Sequence, residues 1–181
     1  MVSGHADSPH HPQPIPQILT TFASLIVGAL FFALWFWLLP NWLGFQSSTN
    51  HIPRWRWLAA LPSIAGFAVA LRCIWDFGWT GRGTPAPIVP PQRLVVVGFY
   101  RYVRNPMYVG FITGWICLWI IFGRVNTAAL TVATVAVVAV ALFVQFYEEP
   151  TLRRLFGSDY DTYCRNVPRW IPRLRPWNPA P

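Results

Sequence analysis

Two stretches of this chain run for more than twenty positions without a charge, residues 18–39 with 22 residues and 125–147 with 23. As a helix, the first is about 33 Å long, which matches the hydrocarbon thickness of a bilayer. It ends in an aromatic cluster, Trp35, Phe36 and Trp37, followed by Pro40 and Trp42. Residues 57–77 form a third apolar run, interrupted near its end by Arg72 and Asp76. The fourth, 107–122, is short at 16 residues and is entered through Pro106. Only Gly123 and Arg124 separate it from 125–147, so those two helices must form a tight antiparallel hairpin. No ten-residue apolar/polar alternation recurs, which excludes a membrane β-barrel. Charged residues make up 11% of the 181, against about 25% in soluble domains, too few to cover a soluble surface. The pattern predicts an all-α integral membrane protein with four transmembrane helices, 18–39, 57–77, 107–122 and 125–147. Residues 18–181 then form one domain, with 148–181 as its cytoplasmic tail.

All 14 basic residues are arginine, and the net charge is +8. They flank the apolar runs, which is the signature of membrane topology and not of a nucleic-acid-binding face. With four spans, the 78–106 connection and the C-terminal tail share a side and hold ten arginines. The opposite side holds three, Arg54, Arg56 and Arg124. Both termini are therefore expected in the cytoplasm, at the plasma membrane in a bacterial cell. Residues 1–17, rich in Pro, His and polar residues, read as a flexible tail. His5, His10 and His11 lack carboxylate or thiolate partners there, and Cys73, Cys117 and Cys164 show neither metal-ligand spacing nor a disulfide framework. No metal site is expected.

Two segments carry chemistry. The 78–106 connection runs through an extended, turn-rich GRGTPAPIVPPQ into RLVVVGFYRYVRNPMYVG, with Tyr100, Tyr102, Tyr108, Arg101 and Arg104 at the level where membrane meets cytosol. Pro106 fits the first turn of a helix, where a missing N–H costs nothing. Gly110 and Gly114 form a GxxxG pair whose ordinary meaning is close helix packing. The second segment, FYEEPTLRRLFGSDYDTYCRNVPRWIPR, opens with two of the chain's six acids, Glu148 and Glu149. Carboxylates at a membrane boundary are costly and usually serve a site. Short surface helices follow: Pro150 suits a start, Gly157 a stop, Ser158 or Asp159 a new N-cap and Pro168 an end.

The stretch GFYRYVRNPMYVG at 98–110 resembles the Gly-x-Tyr…Arg-His-Pro-x-Tyr-x-Gly motif of the integral-membrane methyltransferases. These include the isoprenylcysteine carboxyl methyltransferases and the phosphatidylethanolamine N-methyltransferases. Glu148-Glu149 with Leu152, Phe156-Gly157, Tyr160, Tyr163 and Val167-Pro168 is similar to that family's C-terminal half. The resemblance covers about 85–171, with two motifs in the right order around one helical hairpin. It implies S-adenosylmethionine as cofactor, held by Gln92, Arg93, Leu94, Val95, Tyr100, Asn105, Pro106, Met107, Tyr108 and Glu148. Arg104 and Glu149 become the candidate catalytic residues, Glu149 as base where the acceptor is an amine. Carboxylate and aromatic partners suit a cofactor that carries a sulfonium and an ammonium.

Two positions depart from the family. Its His is Asn105, which hydrogen-bonds but does not titrate. An Arg expected four residues before the first acid is Val144, which removes the cation that would bind a prenylcysteine carboxylate. Arg72 and Asp76 either replace that cation as a substrate site or satisfy each other as an i,i+4 pair. The implied reaction is methyl transfer to a membrane lipid or lipidated small molecule, with no nucleic acid involved. Phospholipid N-methylation, an NADPH-dependent reductase of related fold and a non-catalytic scaffold are the alternatives.

The arginine split yields a direct test. An impermeant thiol reagent outside intact cells should leave Cys164 unlabelled and label it once the membrane is opened. Strong labelling from outside would reverse the topology.

Overall fold

The computed structural model describes residues 17–38, 41, 52–81 and 91–178. The expected tail at 1–17 lies outside them except for Gln17, as do Leu39, Pro40, Trp42 and the 82–90 part of the long connection. No strand occurs among the described residues. Helix α1, Gln17–Ala33, continues into a π-helical turn, Leu34–Leu38. Helix α2, Ala60–Asp76, is entered through a 3-10 turn, Arg54–Ala59, and left through a π turn, Phe77–Gly81. Helix α3 is Pro106–Ile121. Helix α4, Thr127–Phe143, passes through a π turn, Val144–Glu148, into α5, Glu149–Asn166.

Local chemistry sets these bounds. Pro106 occupies the first turn of α3. Helix α4 starts two residues later than its apolar run, because Asn126 caps it by accepting a 2.8 Å hydrogen bond from the Ala129 N–H. The loop between α3 and α4 closes on itself, with Arg124 N donating to Trp119 O at 2.9 Å. Helix α5 is two helices joined at Gly157, whose φ of 52° and ψ of −125° break the helical path as the sequence predicted.

The centre of the fold is the contact between α2 and α3. A Cβ on Gly66 would sit 2.5 Å from the Gly110 carbonyl oxygen, and one on Gly110 would sit 2.6 Å from that of Gly66. A Cβ on Gly114 would strike the Phe67 ring at 2.7 Å. Ser63 Oγ seals the contact by donating to the Gly114 carbonyl at 2.9 Å. Without Cβ atoms the two backbones approach closely, which is how helices associate where no water drives them together. Helix α1 lies against α2, with Gly28 facing Ile74. The end of α1 reaches α3 through a 3.2 Å hydrogen bond from Trp115 Nε1 to the Trp35 carbonyl. Trp115 and Trp119 then pack on Ala129. At the other end of this antiparallel pair, Tyr108 of α3 meets Glu148 beyond α4.

Two continuous stretches, Arg54–Gly81 and Thr127–Asn166, contain apolar helix long enough to cross a membrane, and Pro106–Ile121 is a shorter apolar helix. Much of their apolar surface has no protein over it: Leu61, Ile64, Leu130 and Val135 are all exposed. A water-soluble monomer rarely leaves apolar surface of that extent open.

Gly66→Ala should destabilise the fold by about 1–3 kcal/mol, the usual effect of overpacking, because the new Cβ meets backbone that cannot swing away. Ala65→Leu, one position along on an exposed face, should leave the thermal midpoint in detergent unchanged. Equal midpoints for both variants would contradict the contact.

Candidate active site

Three segments converge where α3 begins and α4 ends. They are the π turn after α2, the 91–105 approach to α3, and α5 with the extended chain behind it. Side chains of these segments line an open cleft whose water-accessible space is about 40 Å³. Apolar and aromatic walls come from Phe77, Leu94, Val95, Tyr100, Leu152, Phe156, Tyr160 and Tyr163. The polar lining consists of Arg104, Asn105, Glu148 and Glu149.

The 3-10 turn Gly98–Arg101 sets the approach chain. Gly98 has φ of 53°, and a Cβ there would meet Asp76 Oδ2 at 2.7 Å, so the turn fits only a glycine lying against α2. The turn buries Tyr100 with Cys73 and Val95. Its carbonyl accepts from Tyr163 Oη at 2.7 Å, which fastens α5 to the approach chain.

The adjacent acids have different surroundings. Glu149 is 5% exposed and held by two arginines. Arg104 Nη1 lies 3.1 Å from its Oε1, and Arg169 donates to both oxygens, Nε at 2.8 Å and Nη2 at 2.6 Å. The bidentate geometry is the strong form of this pairing. Glu148 has no arginine partner among the described residues, and its Oε2 accepts a 3.0 Å hydrogen bond from Tyr108 Oη. It is the first residue after the 125–147 apolar run. Desolvation pushes its carboxyl up to about 7, with the Glu149 charge adding to the rise and the Tyr108 hydroxyl opposing it. Burial also pushes the Tyr160 and Tyr163 phenols up, so both stay neutral donors.

Of the residues singled out in the sequence, Leu94, Val95, Tyr100, Arg104, Asn105, Glu148 and Glu149 line the cleft, together with Leu152, Phe156, Tyr160 and Tyr163 of the second motif. Tyr108 stands behind Glu148, and Met107 packs against the Tyr100 cluster. Pro106 is fully buried, whereas Gln92 and Arg93 are exposed at the start of the approach chain. Asn105 donates from Nδ2 to the Arg169 carbonyl at 3.1 Å, so its amide holds the chain behind α5. Arg72 and Asp76 do not line the cleft, and Arg72 Nε donates to both Asp76 oxygens at 3.0 and 3.1 Å. Val144 is wholly buried. Sequence reasoning missed the role of Arg169, which lies twenty residues beyond its partner and directly after the Val167-Pro168 end of the second motif. Its one signal was a surplus of arginine over acid.

The site is thus a largely apolar cleft, at the end of an apolar helix hairpin, with one carboxylate lacking a cationic partner among the described residues. The phospholipid methyltransferase family matches residues 55–159, and the chain belongs to that family. A methanethiol S-methyltransferase of Crocosphaera subtropica is 33% identical over 82 residues, 45% of this chain and 30% of that protein. A methanethiol S-methyltransferase of Pseudomonas deceptionensis is 27% identical over 176 residues, 91% of this chain and 62% of that protein. The chain thus spans less than two thirds of the length of either relative. No solved structure matches it.

The Glu148 environment gives a measurable signature. Infrared titration should show a carboxyl band fading with a midpoint near 7, absent in Glu148→Gln. Tyr108→Phe removes a donor that favours the ionised form, so the midpoint should rise further. A midpoint near 4.5 would mean that Glu148 is open to water.

Proposed function

We propose that the chain is a four-span membrane enzyme with both termini in the cytoplasm. In this reading it transfers a methyl group from S-adenosylmethionine to a lipophilic acceptor that arrives through the bilayer. Residues 18–181 act as one domain in it. The observation that carries the reading is Glu148: a desolvated carboxylate among aromatic rings, satisfied by one tyrosine, is poised for a cationic ligand. Arg104, though paired with Glu149, keeps one spare donor, its buried Nε, which has no partner among the described residues. S-adenosylmethionine, held by Glu148 and the aromatic walls, would supply an electrophilic methyl on a sulfonium.

The chain's own residues position and dehydrate. Tyr100, Phe156, Tyr160 and Tyr163 wall the cleft against water, and Glu149 fixes Arg104 in place. With two guanidiniums already on it, Glu149 is a positioning residue in this reading and not a base. The acceptor is therefore one that reaches the site already ionised or loses its proton to water. A thiol meets that requirement better than an ammonium, because even a small thiolate fraction is intrinsically very nucleophilic. Arg104 and Arg169 are both committed to Glu149 and Arg72 to Asp76, so an acceptor carboxylate finds no uncommitted arginine among the residues lining the cleft. A small lipophilic thiol is the acceptor these observations favour, and the two methanethiol S-methyltransferases support it. The family's description supports a second acceptor, a phospholipid headgroup.

Calorimetry should show S-adenosylmethionine binding, weakened roughly 10–150-fold by Glu148→Gln, since a charge-assisted hydrogen bond is worth about 1.5–3 kcal/mol. Binding of the cation needs Glu148 ionised. Wild-type affinity should therefore be flat above about 7 and fall as pH drops below it, while Glu148→Gln loses that dependence. With tritiated cofactor, label should enter methanethiol. Label confined to a lipid extract would transfer the reading to phospholipids, and absence of binding would end it.

A further inference from the structure

The chain behind α5 does not trail into solvent. It turns back along the approach to α3, and main-chain hydrogen bonds hold it there. Arg104 N donates to the Pro168 carbonyl at 2.9 Å, Arg173 N to Tyr102 at 3.0 Å and Trp177 N to Arg101 at 2.9 Å. Arg101 Nε returns a bond to the Trp177 carbonyl at 3.1 Å, and the Trp177 ring lies 6.0 Å from that of Tyr163. Residues 168–177 thus form a fixed strap across the segment that leads into an apolar helix.

The free side of this strap is unusual for a fixed segment. Leu174 is 99% exposed and Ile171 79% exposed, each within three residues of a main-chain anchor. From 162 to 178 the chain carries four arginines, Arg165, Arg169, Arg173 and Arg175, and no acid. Glu149 takes up Arg169, whereas Arg165 and Arg173 bond only to neutral groups among the described residues. Basic groups around rigidly presented apolar side chains complement one kind of surface, an anionic lipid leaflet. A soluble acidic partner would match the charge but leave a fully exposed leucine unexplained.

We propose that residues 165–177 are a docking surface for anionic lipid headgroups, with Ile171 and Leu174 inserted below them and Arg165, Arg173 and Arg175 at the phosphates. This goes beyond the methyl-transfer reading and rests only on the membrane placement of the helices. Its consequence is local, because the same strap carries Arg169 and the carbonyl that holds Asn105. Leaflet charge would thereby steady one wall of the cleft.

The test is amide hydrogen exchange of the whole protein in nanodiscs of phosphatidylcholine alone and with phosphatidylglycerol added. Incorporation, with protected α3 amides, reports the membrane placement separately. Amides of 168–177 should exchange several-fold more slowly with the anionic lipid. Both Ile171→Ser/Leu174→Ser and Arg165→Gln/Arg173→Gln/Arg175→Gln should lose that difference while α3 stays protected. Equal exchange in the two discs would overturn the proposal. So would protection that survives the serine pair, or that a soluble polyanion reproduces in detergent.

Discussion

The ion cluster at Glu149 is the interaction on which the site depends. One carboxylate joins the end of the α4 path, the approach to α3 through Arg104, and the C-terminal strap through Arg169. Among the described residues, no other ion pair ties those three segments together. A buried carboxylate is costly to desolvate, and a single guanidinium repays that only with good geometry. Here the bidentate Arg169 contact supplies the geometry and Arg104 a second positive charge. Removing either arginine would leave a buried charge under-compensated, a defect that typically costs about 3–5 kcal/mol. The cluster therefore sets the walls of the cleft before any ligand arrives.

With Glu149 occupied in this way, Glu148 is the acid of the pair that faces the cleft without an arginine among the described residues. Adjacent residues on a helix point about 100° apart, so two neighbouring acids need not share surroundings. The π turn at Val144–Glu148 changes the angular register just before the pair. Val144 turns wholly inward, Glu149 toward the arginines and Glu148 toward Tyr108. A second π turn, Phe77–Gly81, contributes Phe77 to the opposite wall. Such insertions into helices cluster at functional sites because they re-aim side chains at small cost in backbone bonding.

These register changes mark the limit of what the sequence discloses. Uncharged runs place the helices to within a few residues, since length and apolarity decide them locally. Pro106, Asn126 and Gly157 fix boundaries by chemistry confined to one turn. Nine of the cleft-lining residues were already legible in the two motifs, and Leu94 and Val95 just upstream of the first. The division of labour between Glu148 and Glu149 was not, because it depends on a π turn that no hydropathy pattern encodes. Gly66 escaped for a different reason. Gly110 and Gly114 announce a close contact from their spacing, but the helix they meet, with its Gly66–Ala70 small pair, is a matter of tertiary arrangement. Arg169 was hidden among arginines that topology already accounted for.

Charge economy connects fold to function more tightly than any single motif. The chain has six acids against fourteen arginines, and two of those acids lie in one small cleft. A carboxylate that only stabilised the fold would be expected to take one of the surplus guanidiniums, as Asp76 and Glu149 do. Glu148 instead keeps a neutral tyrosine, at the cost of a carboxyl pushed up to about 7. That cost brings the folded chain no stability at neutral pH. In the proposed reading it is recovered when the cation of the cofactor enters the cleft, and that recovery goes into binding the ligand.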